Sequence, residues 1–167
     1  MNFCSVDWNE VIKILTPFII AFGVYRVWHN QKGKEVIAIT AKELIIDVLE
    51  EFASITLIAH KLQNDPDVFQ EEVKRFNSLS IKAFREAAFL TSCLADQNLE
   101  DLSNNHNKQT GSMHKIIRQQ LEPFTSDAVR DFSISPESYD EYANSIQNLI
   151  NALKPYATYK KRFNFNS

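Results

Sequence analysis

The stretch Trp8-Asn-Glu-Val-Ile-Lys-Ile-Leu-Thr-Pro-Phe-Ile-Ile-Ala-Phe-Gly-Val-Tyr-Arg-Val-Trp28 decides how this chain is read. Twenty helical steps at about 1.5 Å each span roughly 30 Å, the thickness of a bilayer's hydrocarbon core. Trp8 and Trp28 end it, and Tyr25 stands near the second end; such side chains suit membrane interfaces, with an apolar ring and a polar tip. Between Phe18 and Val24 the residues are apolar on every face, whereas a helix lying in the interface needs a polar stripe. The sequence therefore predicts a transmembrane helix over residues 11–30, after a short N-terminal segment, 1–10.

Opposing terms keep insertion close to balance. The uncharged run covers only Ile14 to Tyr25. Lys13 is costly near the bilayer centre, at about 2.5–3.5 kcal/mol, but lies off centre and can extend toward the Glu10 end. Pro17 removes a backbone donor, which a membrane helix tolerates when Thr16 or a neighbouring helix reorganises around it. Polar groups in lipid seek partners, so Lys13, Thr16 and Pro17 are candidate intramembrane contacts. A cleaved signal peptide fits poorly, because Asp7 and Glu10 replace a basic leader and no small-residue cleavage site follows.

Charge sets the expected orientation. Asp7 and Glu10 precede the apolar run, while Arg26, Lys32 and Lys34 follow it, before the first acid, Glu35. Positive charge stays cytoplasmic. The expected localisation is a single-pass protein of the cell (inner) membrane, N-terminus outside and C-terminal part in the cytoplasm, joined through a basic turn at 31–34.

Composition bounds the remainder. About 130 residues follow the apolar segment, enough for one domain with a core. The net charge of −3 offers no concentrated basic face, so nucleic acid is not an expected partner. Three glycines in 167 residues argue against glycine-rich phosphate loops and against a loop-rich β architecture. Cys4 and Cys93 fall on opposite sides of the expected membrane and imply no disulfide; Cys93 reads as a small core residue.

The expected class is all-α: a membrane helix, then a mostly helical, up-and-down bundle over 35–159. Apolar residues at Ile37, Ala41, Leu44, Val48, Phe52, Ile55, Ala59 and Leu62 recur at three-and-four spacing, with Ile45, Ile46, Leu49, Leu57 and Ile58 widening the stripe. Glu35, Lys42, Glu43, Glu50 and Glu51 occupy other positions. This helix is expected to continue from the membrane segment past Gly33. Asp65-Pro66 opens a second helix, Asp65 as cap and Pro66 at the first position. Its face is Phe69, Val73, Phe76, Ala83, Ala87, Leu90 and Leu94, with Phe84 and Phe89 also read as core. Residues 96–112, polar and asparagine-rich, are expected to form a loop. A third helix starts near Ser112, bent or ended by Pro123. Ser135-Pro136 opens a fourth, which Pro155 ends or kinks. A basic tail, 160–167, closes the chain.

The chain carries no His-Glu-x-x-His, Cys-x-x-Cys or Gly-x-x-x-x-Gly-Lys motif and no Glu with a His three residues on. Catalytic, cofactor-binding and metal residues are accordingly assigned to none, and no cofactor is expected. His106 and His114, with Asp101, are the one pair of histidines placed for metal or acid–base chemistry. The expected function is an interaction or scaffold module anchored at the cytoplasmic face, with membrane lipid and a protein partner or a second copy as its contacts. A small effector, exclusion or defence protein that oligomerises and perturbs the bilayer is the alternative. A soluble helical protein with a buried N-terminal helix is the second.

Overall fold

A computed structural model describes residues 8–60, 65–122, 128–129 and 132–160, without the side chains of 8–14, 29, 30 and 60. The described residues form four long helices: α1 (Trp8–His60), α2 (Pro66–Cys93), α3 (Gln97–Leu121) and α4 (Pro136–Ala157). Contacts divide the chain into two units, Met1–Val36 and Ile37–Ser167. α1 runs without a break past Gly33 and contributes to both.

In the second unit the helices form an up-and-down bundle. Across α1 and α2, Asp47 meets Lys82, Glu50 meets Arg75 and Ser54 meets Glu72, so the numbers rise on one helix as they fall on the other. α4 runs antiparallel to α1, with Phe52 against Tyr142 and Thr56 against Tyr139. α3 runs antiparallel to α4, with Asp96 bonded to Tyr156, His106 beside Ser145 and Gln120 bonded to Ser133. The core between them holds Leu44, Ile55, Phe69, Phe76, Met113, Phe132 and Leu149, none more than 1% exposed. Phe69 and Phe132 meet edge to face at 5.4 Å.

The expected helix signals operate locally. Asp65 accepts the Val68 N–H at 3.3 Å with Pro66 in the first turn, and Ser135 accepts the Ser138 N–H at 3.2 Å ahead of Pro136. Gln120 grips Ser133 through two bonds, its amide donating to the Ser133 carbonyl and its oxygen accepting the Ser133 N–H. Pro155 lies inside α4 and does not end it. The helix closes two residues later: Lys160 N–H reaches the Pro155 carbonyl, Tyr159 N–H reaches Tyr156, and Tyr159 takes a left-handed φ of 57°. This is a Schellman ending, with a tyrosine where glycine is usual.

Three expectations change. Residues 97–112 are not a loop but the first four turns of α3, capped by Asp96, which accepts the Leu99 N–H. The helix buries Leu99, Ser103, His106, Thr110, Met113, Ile117 and Leu121 at three-and-four spacing, so polar side chains occupy core positions. Phe84 and Phe89 are exposed, at 55% and 41%, because the buried face of α2 runs through Ser80, Ala83 and Ala87 instead. Among the described residues no helix is long and apolar enough to cross a membrane. By sequence the uncharged run between Lys13 and Arg26, Ile14–Tyr25, covers about 18 Å at 1.5 Å per residue, short of the roughly 30 Å hydrocarbon core. The expected transmembrane helix over 11–30 is thus not part of the described fold, which is an all-α bundle. Leu62, Pro123, Phe124, Cys4, Lys161 and Arg162 lie outside the described residues.

Candidate functional site

Two regions stand out from an ordinary bundle: a charged cluster in its core and an apolar surface on the first unit.

The core cluster centres on Glu51, whose side chain is fully buried. It occupies the core register of α1, three residues after Val48 and four before Ile55, so the packing of its neighbours carries it inward. Its Oε1 accepts two hydroxyl donors, Thr110 of α3 at 2.9 Å and Tyr142 of α4 at 2.8 Å. Its Oε2 makes no hydrogen bond and faces His106 Nε2 at 3.5 Å. On the other side of the ring, His106 Nδ1 lies 3.5 Å from Ser145 Oγ. Burial, then the Glu51 charge, raises the Tyr142 phenol far above its ordinary value, so it stays protonated and donates. His106 stacks on the Tyr142 ring at 6.1 Å.

Ser145, His106 and Glu51 thus line up in the order of a nucleophile, base and orienting acid. The geometry does not support that chemistry. The Ser145 hydroxyl donates to the Tyr142 carbonyl at 2.7 Å, which leaves His106 Nδ1 to act as donor toward it. Ser145 and His106 are each 2% exposed, so no substrate reaches them. The cluster is a buried polar tie joining α1, α3 and α4. A charged group in such a place narrows the set of acceptable packings, because any other register strands it.

A second tie joins α1 to α2. Lys82 Nζ bonds Asp47 Oδ1 at 2.9 Å and lies 3.7 Å from Glu86 Oε1. Asp47 Oδ2 and Glu86 Oε2 are both buried without a hydrogen-bond partner. Burial, reinforced by the neighbouring Asp47 carboxylate, pushes Glu86 up to about 7, with Lys82 opposing. The Asp47 bond in turn raises Lys82. One proton on Glu86 relieves both the excess negative charge and the unpaired oxygens.

The two histidines singled out from the sequence do not converge. They stand eight residues apart on α3, about 12 Å along its axis. His114 packs on Phe76 at 4.6 Å at the wall of a shallow groove of about 410 Å³ that also includes Val73, Asn77 and Arg118. Burial lowers its pKa, with the Glu51 charge opposing. Asp101 is exposed and accepts a bond from Gln97. No group of three or more His, Cys, Asp or Glu suited to a metal occurs among the described residues.

The apolar surface belongs to Leu15–Trp28. Phe18, Ile19 and Phe22 are 69%, 68% and 64% exposed, and Ile20, Val24, Tyr25, Val27 and Trp28 all exceed half. At 100° per residue these positions surround the helix and leave no polar side. Arg26 is exposed within the run, Lys32 pairs with Glu35 at 3.1 Å, and Lys34 is half-buried. Thr16 and Pro17 are exposed on the helix. Of the remaining singled-out residues, the side chains of Trp8 and Lys13 lie outside the described residues.

No protein-family model, curated protein or solved structure matches the chain.

Proposed function

We propose that the chain is a membrane-anchored helical interaction module, held to the bilayer by its N-terminal segment, with the bundle at the cytoplasmic face. The observation that carries this reading is the all-round exposure of Leu15–Trp28. Each large apolar side chain left in water forgoes about 1.5–3 kcal/mol, so the run as a whole forgoes on the order of 10 kcal/mol or more. A single docked protein would cover one side of such a helix; lipid covers all of it. By sequence the apolar character extends back through Val11, Ile12 and Ile14 toward Trp8, which adds the length needed for depth. Tyr25 and Trp28 stand where headgroups would meet the helix, and Arg26, Lys32 and Lys34 favour the cytoplasmic side at that end.

Vesicle flotation tests the reading. The full chain should rise with vesicles of phosphatidylethanolamine and phosphatidylglycerol and resist carbonate extraction. The Ile19→Lys, Phe22→Lys double variant should stay in the dense fraction with its bundle intact by circular dichroism. Wild-type protein that remains dense, or that carbonate releases, rejects the proposal.

A further inference from the structure

The two ends of the bundle differ in charge. The antiparallel helices bring the starts of α2 and α4 to the end farthest from Ile37. Asp65, Asp67, Glu71 and Glu72 open α2, and Glu137, Asp140 and Glu141 open α4, with no base in 65–73 or 135–146. A helix N-terminus favours acids in its first turn, but Glu71, Glu72, Asp140 and Glu141 lie beyond it. α3 brings Lys115 and Arg118 to this end, and Arg118 pairs with Glu122 at 3.0 Å, so the end stays acidic. The opposite end, where α1 enters at Ile37, holds the α2–α3 turn and the close of α4. No acid stands between Glu141 and Lys160. Lys154 bonds the neutral Asn151 at 3.3 Å, and neither Lys154 nor Lys160 pairs with an acid among the described residues. Asp96, Glu100 and Asp101 of α3 bring this end near balance, and Asp96 is itself bonded to Tyr156.

Two aromatic side chains mark the same end as the lysines. Tyr159 follows α4 with its left-handed φ of 57° and is 52% exposed. A side chain is disfavoured in that conformation, and a half-exposed ring recovers little of the cost by packing. A tyrosine there suits an interface that takes a ring and a hydroxyl together. Phe89 is 41% exposed. The register set by Asp47–Lys82 and Glu50–Arg75 carries it to the level of Ile39, which is 46% exposed.

We infer that the end formed by the α2–α3 turn and the close of α4 rests on anionic lipid headgroups, with Lys154 and Lys160 on lipid phosphate and Tyr159 and Phe89 in the headgroup layer. The inference rests on the membrane reading above, because the apolar segment delivers this end to the surface: only eight residues separate Trp28 from Ile37. A negative surface attracts each near lysine, on the order of fivefold in occupancy, and repels the acidic end. Charge and aromatic placement therefore favour one orientation of the bundle, with the starts of α2 and α4 directed away from the bilayer. A bundle that merely hangs from a tether has no use for this polarity or for a strained, exposed tyrosine.

Fluorescence quenching of the full chain on phosphatidylethanolamine and phosphatidylglycerol vesicles with nitroxide-labelled headgroups tests this. In a Cys4→Ser, Cys93→Ser background, a fluorophore on Ala95→Cys, at the α2–α3 turn, should be quenched at least several-fold more than one on Asp67→Cys, at the start of α2. The Lys154→Glu, Lys160→Glu pair should cut the Ala95→Cys quenching several-fold while flotation is unchanged, and replacing phosphatidylglycerol by phosphatidylcholine should do the same. Tyr159→Gly should also lower it, in a bundle that circular dichroism finds intact. Protein that floats but is quenched equally at both positions, or at neither, overturns the inference and leaves the membrane reading standing. Quenching at Ala95→Cys that survives both the lysine pair and Tyr159→Gly overturns it as well. Protein that does not float overturns both readings.

Discussion

Two stretches of one helix, Leu15–Trp28 and Ile37–Ile58, draw on the same apolar residue types and have opposite fates. In the second, Ile37, Ala41, Leu44, Val48, Ile55 and Ile58 are at most 2% exposed and share one side, while Ile39, Ile46 and Leu49 lie outside it and are exposed. In the first, every large apolar residue is exposed and the residues do not confine themselves to a side. Hydrophobicity alone does not distinguish them. Periodicity does: a one-sided pattern is satisfied by three partner helices, whereas an all-round pattern has no solution inside a bundle of this size. The bundle stretch also contains what the other lacks, a charged residue in core register, Glu51, whose partners reach it from two different helices.

The largest expected effect follows from that residue. Glu51→Ala removes the acceptor of Thr110 and Tyr142 and leaves His106 facing a void, at a cost of about 3–5 kcal/mol of bundle stability in urea unfolding. Tyr142→Phe keeps the ring in the core and removes one hydrogen bond to a charged acceptor, so it should cost about 1.5–3 kcal/mol by the same measurement. A loss near zero for either would mean that the polar tie does not hold the bundle together.

Stability should also depend on pH through the α1–α2 tie. Glu86 is raised from 4.5 to about 7, so the folded protein holds a proton over a range where the unfolded chain has released it. Stability from this group is therefore complete below about pH 4.5 and declines as pH rises to about 7. His114, lowered from its ordinary value, has the opposite slope near 6.5, since the unfolded chain there binds the additional proton. The Glu86 contribution is read as the difference between wild type and Glu86→Gln, which should lose the decline and keep the His114 slope. Parallel profiles for the two proteins would show that Asp47 and Glu86 do not share a proton.

The smallest effect concerns the end of α4. Tyr159→Gly should stabilise the bundle by up to about 1 kcal/mol in thermal unfolding, because glycine adopts the left-handed φ of 57° without the penalty of a side chain.

Much of the bundle was legible because its helices announce themselves. Asp65-Pro66 and Ser135-Pro136 are start signals that need no tertiary context, and the faces of α1, α2 and α4 follow from apolar spacing. α3 was not legible in that way. Ser103, His106 and Thr110 fill its core positions, so a search for apolar recurrence finds only polar sequence between Leu102 and Met113. The usable signal was Asp96 as cap, followed by Leu99, Ser103, His106, Thr110, Met113 and Ile117 on one helical side. Glu51 escaped for the same reason: a glutamate is placed off the buried face unless its register is weighed against its type. Phe84 and Phe89 erred in the other direction, since aromatic character does not outweigh a position on the outer side of α2. The candidate site was thus half legible. Its apolar surface stood in the sequence; its polar tie depended on residues from three helices that only the fold brings together.

The contrast between the two stretches of α1 comes down to what covers the first. Trp28 can report it directly. In a Trp8→Phe variant it is the sole tryptophan, and its fluorescence can be followed in vesicles whose acyl chains carry bromine at graded depths. Burial of Leu15–Trp28 in lipid requires a blue-shifted Trp28 emission, quenched most strongly by bromine near the headgroups. An emission that stays red-shifted and unquenched at every depth would place the segment outside the bilayer and remove the basis of the membrane reading.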